Sequence, residues 1–196
     1  MDERKGYIFD QKNALRKRML AVRESVTDKA EKSRAVCDAI IPMLRGNCLV
    51  YVSIGSELRT DKLIADMLVM PNICVYAPYT VDGIIYPLKA IKLGIPDRYG
   101  NMPRDCYEIG DTEKYVRPAI EVCVTPLLAF NGDGYRLGYG KGCYDRYFSS
   151  ADNMLKVGVA FSEQLCEFSH EDCDVPLDCC ITERGVIYFS HENNIG

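Results

Sequence analysis

The chain has 196 residues, 47% of them hydrophobic, and its 24 Lys and Arg stand against 28 Asp and Glu for a formal net charge of −4. That length suits one domain with a sizeable core, and the composition excludes a disordered chain, a collagen-like fibre and a coiled coil. The acidic balance disfavours nucleic acid as a partner, no apolar run reaches the ~18 residues of a membrane helix, and the first residues lead into no apolar secretion core, so a soluble cytoplasmic protein is expected.

The first predicted element is a basic helix over 10–23, with Asp10 at its N-cap and Lys5 just ahead of it. Lys12 and Arg16 are four apart and share a face, which is either a solvated charged face or one turned to an anionic ligand. Beyond Thr27, a second helix places Val36, Cys37, Ile40, Ile41 and Leu44 at the spacing of a buried stripe and stops at Arg45-Gly46-Asn47. Residues 48–54 read as a strand, and Thr60-Asp61 caps a helix carrying Leu63, Ile64, Met67 and Leu68. Strands over 73–77 and 84–88 are joined by Asp82-Gly83 into an antiparallel hairpin. Residues 93–118 hold three prolines and no lasting period, the mark of a long surface excursion of the kind that often serves as a lid. Further strand material lies at 120–125, 156–161 and 179–189.

Alternating strands and helices predict an α/β fold: a single domain over 1–196 with a largely parallel central sheet flanked by helices on both faces. The ten cysteines are scattered, mostly among Val, Ile and Leu, with no C-x-x-C pair, so reduced core thiols are expected. Cys166, Cys173, Cys179 and Cys180 lack zinc-site spacing, because adjacent strand residues such as the last two point to opposite faces.

The stretch that carries chemistry is Asn131-Gly132-Asp133-Gly134-Tyr135-Arg136-Leu137-Gly138-Tyr139-Gly140-Lys141-Gly142-Cys143-Tyr144-Asp145-Arg146. Five glycines within eleven residues suggest backbone that turns sharply or approaches a ligand closely. The loop opens a helix, where free N–H groups and the dipole favour a phosphate, and Arg136 and Lys141 add full charges. A purely structural turn is the competing reading. A P-loop is excluded, since Gly142 follows Gly140-Lys141 where Ser or Thr is needed and Tyr135 stands at the pattern's first glycine. The dinucleotide fingerprint is excluded because Gly138, Gly140 and Gly142 alternate.

The segment from Arg136 through Gly138-Tyr139-Gly140-Lys141-Gly142 to Arg146 resembles the signature of the 5-formyltetrahydrofolate cyclo-ligase family. Shorter pieces follow the family's order along most of the chain: Lys12-Asn13-Ala14-Leu15-Arg16, Glu57-Leu58-Arg59-Thr60, Gly94-Ile95-Pro96-Asp97, Thr125-Pro126-Leu127-Leu128-Ala129-Phe130, Gly158-Val159-Ala160-Phe161 with Gln164, Asp174-Val175-Pro176-Leu177-Asp178 and Thr182-Glu183. The resemblance implies an α/β fold shared with sugar-phosphate isomerases and coenzyme A transferases. It also implies a ligase of one-carbon metabolism that converts 5-formyltetrahydrofolate to 5,10-methenyltetrahydrofolate with ATP and Mg2+, releasing ADP and phosphate. By the family pattern, Lys12, Asn13, Ala14, Leu15 and Arg16 bind ATP together with Arg136, Leu137, Gly138, Tyr139, Gly140, Lys141, Gly142, Cys143 and Tyr144. Lys12, Arg16, Arg136 and Lys141 stabilise the transferring phosphoryl group. Arg16, Glu57, Tyr139, Gly140, Lys141, Gly142 and Cys143 bind the folate, and Asp145 and Asp174 hold the magnesium.

Three positions depart from that pattern: Asn131 and Asp97 where the family usually has Asp and Glu, and Cys143 where it often has Tyr or Phe. A carboxylate shifted to Asp133 is the expected offset to the first. Asp145 also suits a helix start for its charge alone, and Glu57 is expected at a different strand end from the glycine loop. Two alternatives stay open: an ATP-independent isomerase or acyl-transferase of the same fold, and a catalytically inactive protein that binds nucleotide or folate. The partners implied are small molecules, and the sequence leaves the oligomeric state open.

Overall fold

The computed structural model describes residues 3–108, 115–151 and 153–190. Residues 109–114 of the predicted excursion lie outside the described residues, as does the side chain of Lys5. In chain order the helices are α1 (Glu3–Ser25), α2 (Lys29–Ile40), α3 (Asp61–Met67) and α4 (Cys143–Ser149). The strands are β1 (Gly46–Val50), β2 (Ile73–Val81), β3 (Ile84–Lys89), β4 (Val122–Thr125), β5 (Ala129–Phe130), β6 (Arg136–Leu137), β7 (Leu155–Val159), β8 (Cys179–Thr182) and β9 (Gly185–Tyr188).

Seven strands form one sheet in the order β3-β2-β1-β4-β7-β8-β9. The five central strands run parallel, and β3 and β9 pair antiparallel at the two edges. Strand alternation divides the buried side chains between two faces. Cys48 and Val50 join Val36, Ile40, Leu63 and Ile64 under α2 and α3, whereas Leu49 joins Tyr147 and Phe148 of α4 on the other face. Cys179 and Cys180 separate in the same way, which removes them as joint metal ligands. A smaller cluster packs Met19 of α1 on Leu128, Ala129 and Leu137 of the β5–β6 ribbon. None of the described helices is long and apolar enough to cross a membrane.

The direction in which successive strands are added reverses at the centre of this sheet. From β1 the chain passes through α3 to β2 and β3 on one side, then returns to β4 on the other. The crevice beyond the carboxyl ends of β1 and β4 is therefore a topological switch point, where open α/β sheets bind their ligands.

Several predicted boundaries move. α1 begins at Glu3, so Asp10 lies inside the helix and does not cap it; with no proline nearby, a lone Gly6 does not stop the helix. β1 ends at Val50, after which Tyr51 N–H keeps one long bond to Val124 O at 3.4 Å. Thr60 precedes α3 without a side-chain cap, because its hydroxyl donates to Tyr51 O at 2.8 Å. The predicted surface excursion is anchored: Met102, Cys106 and Tyr107 are buried, and Tyr107 bridges to Ala90. The Asp82-Gly83 turn forms as expected, both residues having positive φ (50° and 77°).

Candidate functional site

α1 presents one stripe to the protein, Lys12, Arg16, Met19 and Arg23, spaced 4, 3 and 4 along the helix. Lys12, Met19 and Arg23 are buried, so most of the stripe is cationic where an apolar face would be usual. Each cation has a partner. Lys12 Nζ donates to Asp174 Oδ2 at 2.7 Å and Glu171 Oε2 at 2.8 Å. Burial pulls the ammonium pKa down, but the hydrogen bonds to Asp174 and Glu171 outweigh this and hold it above its ordinary value. Arg16 donates from Nε to Gly138 O at 3.0 Å and from Nη1 to Asn13 Oδ1 at 2.7 Å.

Arg23 was not singled out from the sequence. It is only 2% exposed and joins three segments. Its guanidinium donates to Ser56 Oγ (3.2 Å) after β1, to Leu127 O (3.3 Å) after β4, and to the Tyr139 hydroxyl (2.5 Å). Glu57 Oε1 lies 3.9 Å from Arg23 Nη1. The signal for Arg23 was its spacing from Lys12 and Arg16, which an apolar-periodicity reading passes over because the stripe is charged.

The glycine-rich run is two structures. Gly132 and Gly134 belong to the turn between β5 and β6, and Gly138, Gly140 and Gly142 lead from β6 into α4. Gly140 has φ +93°, and a Cβ there would stand 3.1 Å from Arg16 Cζ. The backbone thus lies flat against the guanidinium, bringing the first helix and the glycine loop together. α4 has seven residues, so its dipole is short and the charge near the loop comes chiefly from side chains.

Arg136 is buried, donating from Nη2 to Asp145 Oδ1 and from Nη1 to Val175 O, both at 2.7 Å, with Cζ 4.7 Å from the Phe148 ring centroid. Burial lowers its pKa, and Asp145 opposes that. Leu137 and Leu15 pack with Met19 in the cluster under α1. Ala14 is exposed, and Cys143 and Tyr144 are half-buried against the α4 cluster. Lys141 Nζ lies 4.6 Å from the Tyr99 ring centroid. Arg146 beside it donates to Gly83 O at 2.8 Å, and Thr80, Asp82 and Tyr99 complete this second cleft.

Glu57 is buried, with Oε2 accepting from Ile54 N–H at 2.9 Å. Burial raises its pKa, opposed by that N–H, by Arg23 and by the Tyr139 hydroxyl. Glu57 follows β1 and the glycine loop follows β6, different strand ends as expected, and the two meet through Arg23 and Tyr139. β1 and β4 are adjacent and parallel, so their carboxyl ends open on one crevice.

Asp145 and Asp174 are not free carboxylates. Bonds to Asp145 fall on Oδ1, from Arg136 and from Val175 N–H at 3.2 Å. Those to Asp174 fall on Oδ2, from Lys12 and from Glu171 N–H at 2.8 Å. Among the described residues, one oxygen of each takes no hydrogen bond, and the Asp174-Val175 step connects the two. Glu171, Cys173 and Asp174 also offer ligand atoms within 4.8 Å of one another. The carboxylate oxygens in this set fit a hard ion such as magnesium, which takes few protein ligands and keeps waters; the Cys173 thiol does not.

An open cleft of about 400 Å3 lies between Lys12, Leu15 and Arg18 on α1 and Glu167, Phe168 and Ser169 opposite.

Compared with known proteins, residues 8–183 match the model of the 5-formyltetrahydrofolate cyclo-ligase family. The 5-formyltetrahydrofolate cyclo-ligase of Mycoplasma genitalium is 31% identical over 178 residues, which span 87% of this chain and 96% of that protein. The enzyme of the same name from Escherichia coli K12 is 30% identical over 147 residues, 70% of this chain and 78% of that protein. Among solved structures, the NMR structure of Aquifex aeolicus 5,10-methenyltetrahydrofolate synthetase is similar with a TM-score of 0.70 and 25% identity, covering 94% of this chain and 96% of that one. The Mycoplasma pneumoniae 5,10-methenyltetrahydrofolate synthetase is similar with a TM-score of 0.68 and 25% identity, covering 88% and 98% respectively.

Proposed function

The chain belongs to the 5-formyltetrahydrofolate cyclo-ligase family, and from that premise we propose that it converts 5-formyltetrahydrofolate and ATP to 5,10-methenyltetrahydrofolate, ADP and phosphate. The observation that carries this reading is the contact of Arg16 with the glycine loop, Nε to Gly138 O at 3.0 Å, which joins the cationic helix and the loop into one site at the sheet's switch point.

The formyl carbon on N5 is amide-like, and its oxygen is too poor a leaving group for N10 to displace. Transfer of the γ-phosphoryl group to that oxygen makes it a good one. N10 then attacks the carbon, and phosphate departs with the former formyl oxygen. Such a transfer asks for positioning and charge neutralisation, and no protein nucleophile is needed. Lys12 and Arg16 face the phosphates from α1, and the backbone of residues 138–142 follows them from the loop. Arg136, held by Asp145 and Val175 where β6 leads into the loop, adds positive charge at the loop's start. Lys141, beside Tyr99, reaches the folate side, as does Tyr139. Glu57 accepts a hydrogen bond from the amino-pyrimidine edge of the pterin or from N10–H. Asp145 and Asp174 are the residues that would hold magnesium, which would supply charge neutralisation at the ATP phosphates. The reaction belongs to soluble one-carbon metabolism in the cytoplasm.

The test is a spectrophotometric assay for methenyltetrahydrofolate with and without ATP and Mg2+. Product only when both are present supports the reading. Turnover without ATP would indicate an isomerase or acyl-transferase, and binding of both ligands without ADP release an inactive binding protein.

A further inference from the structure

Arg23 is too buried to meet a substrate itself, yet its bonds converge on groups that face the crevice. A guanidinium carries donors and no acceptor, so the Tyr139 hydroxyl, 2.5 Å from Arg23 Nη2, accepts that bond and its own proton is left to donate. Glu57 is the carboxylate that interacts with this hydroxyl, and its Oε1 lies 3.9 Å from Arg23 Nη1. Its Oε2 already accepts from Ile54 N–H. Glu57 also acts on Tyr51 after β1 and on Tyr144 of α4. Burial raises the pKa of all three tyrosines, which keeps them neutral near neutral pH. Arg23 is thus the charged group set against Glu57, and without it a carboxylate only 5% exposed would stand uncompensated.

We propose that Arg23 is a positioning residue for the folate end of the site, its guanidinium fixing the Tyr139 hydroxyl and the Glu57 carboxylate at the carboxyl ends of β1 and β4. This rests on the reading that Glu57 and Tyr139 meet the folate. Ser56 Oγ and Leu127 O anchor the guanidinium from behind, and it acts through Glu57. An ionised Glu57 accepts on both oxygens, whereas a protonated one turns an O–H toward the donor groups of the pterin. Arg23 opposes the effect of burial on Glu57 and so holds it in the accepting form. A lysine would keep the charge, but one nitrogen cannot span Ser56, Leu127 and Tyr139 as a planar fork does.

The test is steady-state kinetics of the full chain across pH, with each substrate varied in turn. Arg23→Met should raise folate KM ~10-fold, the scale of one lost buried charge-assisted contact, and leave ATP KM within about twofold of wild type. The acid limb of kcat/KM for folate should move to higher pH, because without the cation Glu57 protonates earlier as pH falls. Arg23→Lys should return the limb toward wild type with folate KM still raised, since the charge comes back and the fork does not. An unchanged folate KM, or equal losses toward both substrates with an unmoved limb, would overturn the proposal. If Arg23→Met does not fold, Arg23→Lys decides: a raised folate KM with ATP KM unaltered supports the proposal, and an unchanged folate KM overturns it. Added to Glu57→Gln, Arg23→Lys should raise folate KM by less than it does alone; full additivity would mean that it does not act through Glu57. Glu57→Gln by itself separates the two claims. If it raises folate KM and the Arg23 variants do not, only the positioning role fails; if it leaves folate KM unchanged, the folate-side reading fails and the proposal with it.

Discussion

Lys12 and Arg136 are held inside an acidic protein by carboxylates that bind them at 2.7–2.8 Å, which makes each a fixed positive charge rather than a swinging side chain. Lys12→Ala and Arg136→Ala should each weaken ATP use by ~1–3 kcal/mol, the scale of lost charge-assisted hydrogen bonds. ATP kinetics of the two variants check this, and unchanged values in both would remove the assignment. Glu57 behaves differently because burial raises its pKa. A folded-state pKa above the unfolded value means that stability is fully present below the ordinary carboxylate range and falls as pH rises through the raised pKa. Glu57→Gln should therefore raise Tm at neutral pH, lose that advantage at acidic pH, and still raise folate KM or lower turnover with ATP affinity nearly intact. A loss confined to ATP would contradict its place on the folate side. Single residues were legible where spacing dictates a shared face, as at Lys12 and Arg16, which both turn toward the protein from α1. Arg23 was not, because its only mark is its spacing from Lys12 and Arg16, and a charged stripe leaves no apolar periodicity to follow.

Elements were legible where backbone conformation dictates residue type. Asp82-Gly83 predicted a hairpin because both positions need positive φ, and both have it. Asp10 and Thr60 misled because a capping residue is only an option for the chain. One sits within a helix that continues past it, and the other bonds to Tyr51 O. At Gly140 the requirement is both conformational and steric. Gly140→Ala should cost about 1–2 kcal/mol of stability from the left-handed backbone, and it should displace Arg16, so that thermal melts and ATP KM worsen together. A variant that melts early with normal ATP KM would mean that the contact with Arg16 plays no part in nucleotide binding. α4 carries a similar double duty. Asp145→Asn keeps an acceptor for Arg136 but removes its counter-charge, so we expect a loss of roughly 1–3 kcal/mol in stability together with a higher magnesium requirement for turnover. Magnesium titrations of activity that superimpose with wild type would assign Asp145 to Arg136 alone.

Over the whole molecule, the α/β class and the two-sided burial of the sheet followed from short apolar strands alternating with helices. The strand order did not, because periodicity says which face of a strand is buried and not which strand lies beside it. That order determines the site: β4 returning beside β1 creates the crevice in which Glu57, Arg23, Tyr139 and the glycine loop meet. The sequence contained each of these residues but not their common address. The chemistry proposed for this crevice makes the formyl oxygen a phosphate oxygen before N10 closes the ring. The most direct measurement follows that atom: 5-formyltetrahydrofolate labelled with oxygen-18 in the formyl group is turned over with ATP and Mg2+, and the released phosphate is examined by mass spectrometry. The account predicts that the label leaves in inorganic phosphate, one labelled oxygen for each methenyltetrahydrofolate formed. Label appearing in water, with unlabelled phosphate, would contradict it.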